Sequence, residues 1–115
     1  MRKICLAAFN GEAMCFAHVL LNALDYQAKG YEVSVAIEGT ACKQIKEMAE
    51  NNNPFHALWE QVKEKALISG VCRACAQKMG SLQVAEEQRL PILDQMKGHL
   101  PLEKYTAQGY DIYIF

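Results

Sequence analysis

A chain of 115 residues with 51% apolar side chains is long enough for one buried core and too apolar to stay disordered. Its formal charge of -1 comes from scattered acids and bases with no basic run, which excludes nucleic acid as a main partner. Five cysteines, an odd number in a chain that is not loop-rich, argue against a secreted disulfide scaffold and for reduced thiols in a cytoplasmic setting.

The opening MRKICLAAF imitates a signal peptide, but its apolar stretch of about six residues falls short of the usual ~7 to 15 and stops at Asn10-Gly11-Glu12. It is read instead as a first strand, Lys3 to Phe9, entering a turn. From Ala13 to Lys29 the apolar residues recur at helical spacing, as in Ala13, Ala17, Leu20, Leu21, Leu24 and Ala28, and Lys29-Gly30 stops the helix. His18 and Asn22 interrupt this block, so it does not read as a membrane span. Glu12 suits the start of the helix because an acidic group is favoured at its positive end. Tyr31 to Ile37 alternates as a second strand, with Tyr31, Val33, Val35 and Ile37 on one face.

Glu38-Gly39-Thr40 then turns the chain into a helix over about 41–50 with Thr40 as its cap, and NNNP at 51–54 breaks it. Phe55, Leu58, Trp59, Val62 and Ala66 mark a further amphipathic helix. Leu67 to Cys72 reads as a third strand, followed by a helix over roughly 75–87 and a short fourth strand, Leu90 to Leu93, limited by Pro91. A helix from Pro101 to Gly109 and the alternating YDIYIF complete the chain. Without a repeat, linker or low-complexity tract, residues 1–115 read as one domain. Strands alternating with helices predict an α/β fold of three layers, a mostly parallel five-stranded sheet with helices on both faces.

In such a sheet, chemistry gathers beyond the carboxyl ends of the strands, most often where strand order reverses. That edge collects Asn10 to Cys15, Glu38 to Cys42, Cys72 to Cys75 and Gly98-His99. If strands one and three are neighbours, as in a flavodoxin-like order, Cys72 lies beside the Asn10-Gly11 turn, which would shape a pocket. Cys5, inside strand one, reads as core. Cys72, at a strand-to-helix junction with Arg73 and Lys78 nearby, is placed where unpaired N–H groups and positive charge favour a thiolate.

Cys75 is either an inert first-turn residue or a second thiol able to attack a mixed disulfide or persulfide formed on the first. A thioredoxin-type motif ranks lower, because no Trp or Pro flanks the pair. One C-x-x-C supplies only two of a structural zinc site's four ligands, so Cys42, Cys15 or His99 would have to complete it, and no metal or other cofactor is assigned. FNGE has one glycine and no P-loop lysine, which leaves a nucleotide site unsupported. His99 either reaches Cys72 to handle its proton or caps the helix behind it. His18 reads as packed or at a subunit contact, and His56 as a solvated surface residue. Met14, Phe16 and Val19 lie outside the stripe that one sheet face covers, which predicts self-association.

The layout resembles the DsrE/DsrF-like family of small sulfur-handling proteins. The likeness is carried by KICLAAF, AKGYEVSVAIEG, VCRACAQKMG and GHLPLEKYTAQGYDIYIF, and most sharply by Cys72 at the end of strand three with Gly80 eight residues on. The resemblance implies a flavodoxin-like fold in trimers or hexamers. It places the family's persulfide-carrying cysteine at Cys72, with the second cysteine of some members at Cys75. Where many members carry Arg just before the glycine, this chain has Met79. The resulting expectation is a cytoplasmic sulfur-transfer protein, a homo-oligomer working between donor and acceptor proteins, in which Cys72 accepts sulfane sulfur and passes it to a partner, Cys75 resolves or relays it, His99 completes the catalytic set, and Asn10 and Gly11 shape the pocket. The alternative is a thiol-redox or metal-responsive binding module that uses Cys72 and Cys75 together.

Overall fold

The computed structural model describes residues 2–115. Lys3–Ala8 (β1) and Glu32–Ile37 (β2) are short apolar runs buried on both faces, as expected for the inner strands of a covered parallel sheet. Ala13–Ala28 (α1) joins them, and the Glu12 carboxylate caps it by accepting the N–H groups of Met14 and Cys15 at 2.9 and 3.2 Å. After β2 the chain makes a 3-10 turn, Gly39–Cys42, into α2 (Lys43–Glu47), and then α3 (His56–Glu64). Next come β3 (Ile68–Cys72), α4 (Arg73–Lys78), α5 (Leu82–Glu87), β4 (Ile92–Leu93), α6 (Glu103–Ala107) and β5 (Tyr110–Ile114).

All five strands are parallel, in the order β4-β3-β2-β1-β5. This is the predicted three-layer, flavodoxin-like α/β arrangement, with β2 rather than β3 next to β1. Cys72 therefore does not lie beside the Asn10-Gly11 turn. On one face Ile4, Leu6, Val33 and Val35 pack against Phe16, Val19 and Leu20 of α1, Ile45 of α2 and Trp59 of α3. On the other, Cys5, Ala36 and Cys72 meet Leu93, Leu100 and Tyr105, so the thin layer formed by α6 and its approach covers the cysteine-bearing face.

Two predicted helices are shorter than expected. The helix over 75–87 is two helices, because Gly80 turns the chain at φ +74°, donates its N–H to Gln77 O, and is followed by Ser81 donating to Ala76 O at 2.8 Å. That is a helix-ending Schellman pair, and it makes the Cys72–Gly80 interval the length of α4 from cap to stop. The helix over 41–50 opens as the 3-10 turn and ends at Glu47. β4 has two residues, as Pro91 without an N–H foretold, although the Pro91 carbonyl still accepts from Val71 at 2.8 Å.

Phe16 and Val19 are fully buried within the chain and need no partner, whereas Met14 is 56% exposed. Leu21 and Ile114 are exposed as well. His18 is exposed, not packed, and His56 is partly buried with Nδ1 2.9 Å from the Met48 carbonyl. No helix among the described residues is long and apolar enough to cross a membrane.

Candidate functional site

β3 ends at Cys72, whose backbone caps α4 in an extended conformation, and Cys75 falls on the first turn of that helix. Three residues of helix carry the second sulfur back over the first. His99 comes from the far side of β4, in a tight turn closed by the Met96 and His99 backbones. The Ala74 N–H donates to the Gly98 carbonyl at 2.9 Å, which ties this turn to the start of α4.

The result is a cluster of three groups: His99 Nδ1 stands 3.3 Å from Cys72 Sγ and 3.7 Å from Cys75 Sγ. All three atoms lie within 4.8 Å of one another. The Leu100 N–H donates to Cys72 Sγ at 3.4 Å, which ties the sulfur to the segment that carries His99.

The two thiols differ in access. Cys72 is only 1% exposed, while Cys75 and His99 line a pocket of about 250 Å³ together with Phe9, Gly39, Lys78 and Met79. Burial pushes the Cys75 thiol up, as does its hydrogen bond with Cys72, and the Gly39 N–H facing the sulfur opposes the shift. Gly39 has φ +58°, and a side chain there would meet the Phe9 ring at 2.9 Å, so glycine lets the aromatic wall lie against the backbone. Lys78 is the cation at the pocket, next to Met79.

Asn10 and Gly11 are not among the lining residues. Asn10 Oδ1 accepts the Glu12 N–H at 2.8 Å, and Gly11 donates its N–H to Thr40 Oγ1 at 2.9 Å. Thr40 lines the pocket, so the turn supports the wall from behind. Cys42 is buried with its thiol donating to the Ile37 carbonyl at 3.7 Å, and burial first, then the neighbouring Cys75 and Cys72, push its pKa up. Cys5 is buried in the sheet, where the same cost of burying a charge pushes it up to about 12. Cys15 stands apart on α1 beside Glu12.

Glu38 is a member of the edge to which sequence reasoning gave no role beyond the turn. It follows β2 directly, and burial pushes its carboxyl above the usual range while His99 pulls it back. The available signal was its position as the first polar residue after a buried strand at the carboxyl edge. The strand order reverses between β1 and β5, yet the cluster sits at β3, two strands away. It depends on His99, which the chain brings in only after β4.

No family model matches the chain, and no solved structure matches it. It is similar to the uncharacterized protein MJ0733 of Methanocaldococcus jannaschii, with 34% identity over 95 residues, covering 83% of this chain and 75% of the relative. At that identity and coverage the chain belongs to the same protein family as MJ0733.

Proposed function

We propose that this protein is a cytoplasmic sulfur-transfer protein of the DsrE/DsrF-like kind, carrying sulfane sulfur as a persulfide on the Cys72/Cys75 pair. The observation that carries this reading is the asymmetry of the pair. One thiol faces a pocket, the other is buried behind it, and one imidazole nitrogen serves both.

Sulfur enters at Cys75, which lines the pocket, and not at Cys72 as expected from the sequence, because Cys72 is buried behind it. The Cys75 thiolate attacks the outer sulfur of a donor persulfide, a new S–S bond forms at Cys75, the donor's S–S bond breaks, and the donor leaves as a thiolate. Cys72 then attacks the same outer sulfur, which moves to Cys72 and returns Cys75 to a thiolate. No net oxidation occurs in either step. His99 holds or releases the proton at either sulfur, and the Leu100 N–H ties Cys72 to the segment that carries His99. Transfer to an acceptor protein reverses the route through Cys75. The Cys72 terminal is thereby shielded from water between donor and acceptor.

The protein acts as a homo-oligomer, a trimer or hexamer, supported by the exposed Met14, Leu21 and Ile114. Partner proteins supply and accept the sulfur, and neither nucleic acid nor a resident cofactor takes part.

Treatment of the reduced chain with a small persulfide donor, followed by peptide mass mapping, tests the proposal. One added sulfur atom is expected on the pair. Cys75→Ser is expected to abolish loading, while Cys72→Ser leaves the sulfur on Cys75 in a form rapidly removed by added thiol. An unloaded parent chain, alongside a loaded control carrier, rejects the reading.

A further inference from the structure

We propose that Cys72, Cys75 and His99 are three ligands of a zinc-class divalent cation, whose fourth coordination position opens into the pocket. The inference goes beyond sulfur transfer and does not depend on it. Its first support is metric. A tetrahedral ion with bonds of about 2.3 Å to sulfur and about 2.0–2.1 Å to nitrogen separates S from N by about 3.6 Å and S from S by about 3.8 Å. The two S···N separations here, 3.3 and 3.7 Å, bracket that value, and the three donor atoms lie within 4.8 Å of one another. A small inward movement of the partly buried Cys75 and the exposed His99 is enough to close the set.

The second support is chemical. Two thiolates and one imidazole are soft and borderline donors, which select zinc-class ions over calcium or magnesium, whose sites are built from oxygen. Two thiolate charges neutralise the dication, so a buried Cys72 carries no net charge in the complex. Binding is balanced without any redox change: each thiol loses its proton to solvent as it ligates, and His99 gives the lone pair of Nδ1, leaving the ring proton on Nε2.

The third support is the shell behind the ligands. The Leu100 N–H donates to Cys72 Sγ at 3.4 Å, and the Ala74 N–H to Gly98 O bond at 2.9 Å locks the two ligand-bearing segments together. Water or a small anion reaches the remaining position from the pocket. An ion held there occupies both sulfurs, so persulfide formation and metal binding exclude each other.

Titration of the reduced full-length protein with Co2+ and with Zn2+ tests the site, read by native mass spectrometry and by the intense visible absorption of tetrahedral thiolate-bound Co2+. One ion per chain is expected. Cys75→Ser and His99→Ala, both at accessible positions, are expected to weaken binding by at least about tenfold to a hundredfold, with Cys15→Ser unchanged. Cys72→Ser is expected to do the same, and Trp59 fluorescence reports whether that buried substitution leaves the fold intact. A reduced parent chain that holds no ion, a weak octahedral-type Co2+ spectrum, or binding that survives both Cys75→Ser and His99→Ala overturns the proposal. Loss of metal binding with persulfide loading intact refutes this inference alone, and the reverse refutes only the sulfur-transfer reading.

Discussion

Cys72 Sγ and His99 Nδ1 meet at 3.3 Å across 27 positions of chain, with their segments joined by the Ala74 N–H to the Gly98 carbonyl and by the Leu100 N–H to Cys72 Sγ. An imidazole nitrogen at that distance is placed to take the thiol proton as the sulfur reacts, and a positioned general base contributes about 100-fold or more. His99→Ala is therefore expected to slow alkylation of the Cys72/Cys75 pair at neutral pH by at least about tenfold. Time-resolved labelling with peptide mapping measures it, and an unchanged or faster rate contradicts the role given to His99.

The burial pattern predicts which thiols respond at all. In the native protein an impermeant alkylating reagent is expected to modify Cys75 and Cys15, which are partly exposed, well before Cys5, Cys42 and Cys72, which are buried. After denaturation all five react. Early modification of Cys72 ahead of Cys75 would remove the basis for sulfur entering at the pocket.

Glu38 gives the fold a pH dependence whose sign follows from its environment. Its carboxyl is held above the ordinary range, chiefly by burial and with His99 acting in the opposite sense, so the folded chain binds this proton more tightly than the unfolded chain does. The stability this contributes is fully present below the unfolded value, about 4.3, and is lost as pH rises through the folded value. Glu38→Gln, which cannot ionise, is expected to unfold at a higher temperature than the parent near neutral pH, with the difference vanishing in acid. Thermal unfolding of both proteins across pH checks it, and a parent that gains stability over Glu38→Gln as pH rises refutes it.

Gln88 ties three elements together without touching the site. Its Oε1 accepts from Trp59 Nε1 and Lys63 Nζ, both at 2.8 Å, and its Nε2 donates to the Ile45 carbonyl at 3.2 Å. Gln88→Ala leaves the indole N–H of a fully buried tryptophan without a partner, at a cost of about 1–3 kcal/mol. Chemical denaturation followed by fluorescence of the chain's one tryptophan reads the loss directly, and His99 alkylation effects should be unaffected.

Local signals were legible where the chain itself decides the structure. The apolar run KICLAA, the Glu12 cap, the stop at Gly30 and the C-x-x-C at the end of β3 each depend on a few neighbouring residues. Gly80 falls inside the single helix predicted over 75–87, and its positive φ divides that helix into two. Strand order was not legible, because the pairing of Lys3 with Tyr110 depends on residues at opposite ends of the chain. The unequal exposure of Cys72 and Cys75 was hidden for a related reason: Leu93, Leu100 and Tyr105, which bury Cys72, come from segments whose docking no spacing rule fixes. Phe16 and Val19 looked surplus to α1 because one sheet face was counted as their cover, whereas α3 also packs there, with Trp59 5.9 Å from the Phe16 ring.

The connection that carries His99 leaves β4 at one border of the sheet and returns to β5 at the other. Pairing β1 with β5 joins nearly opposite ends of the chain and carries the entropic cost of closing a large loop. Any state in which this connection is undocked displays an open dithiol with neither imidazole nor cover. Oxidation in that state would lock the pair before His99 could act on it.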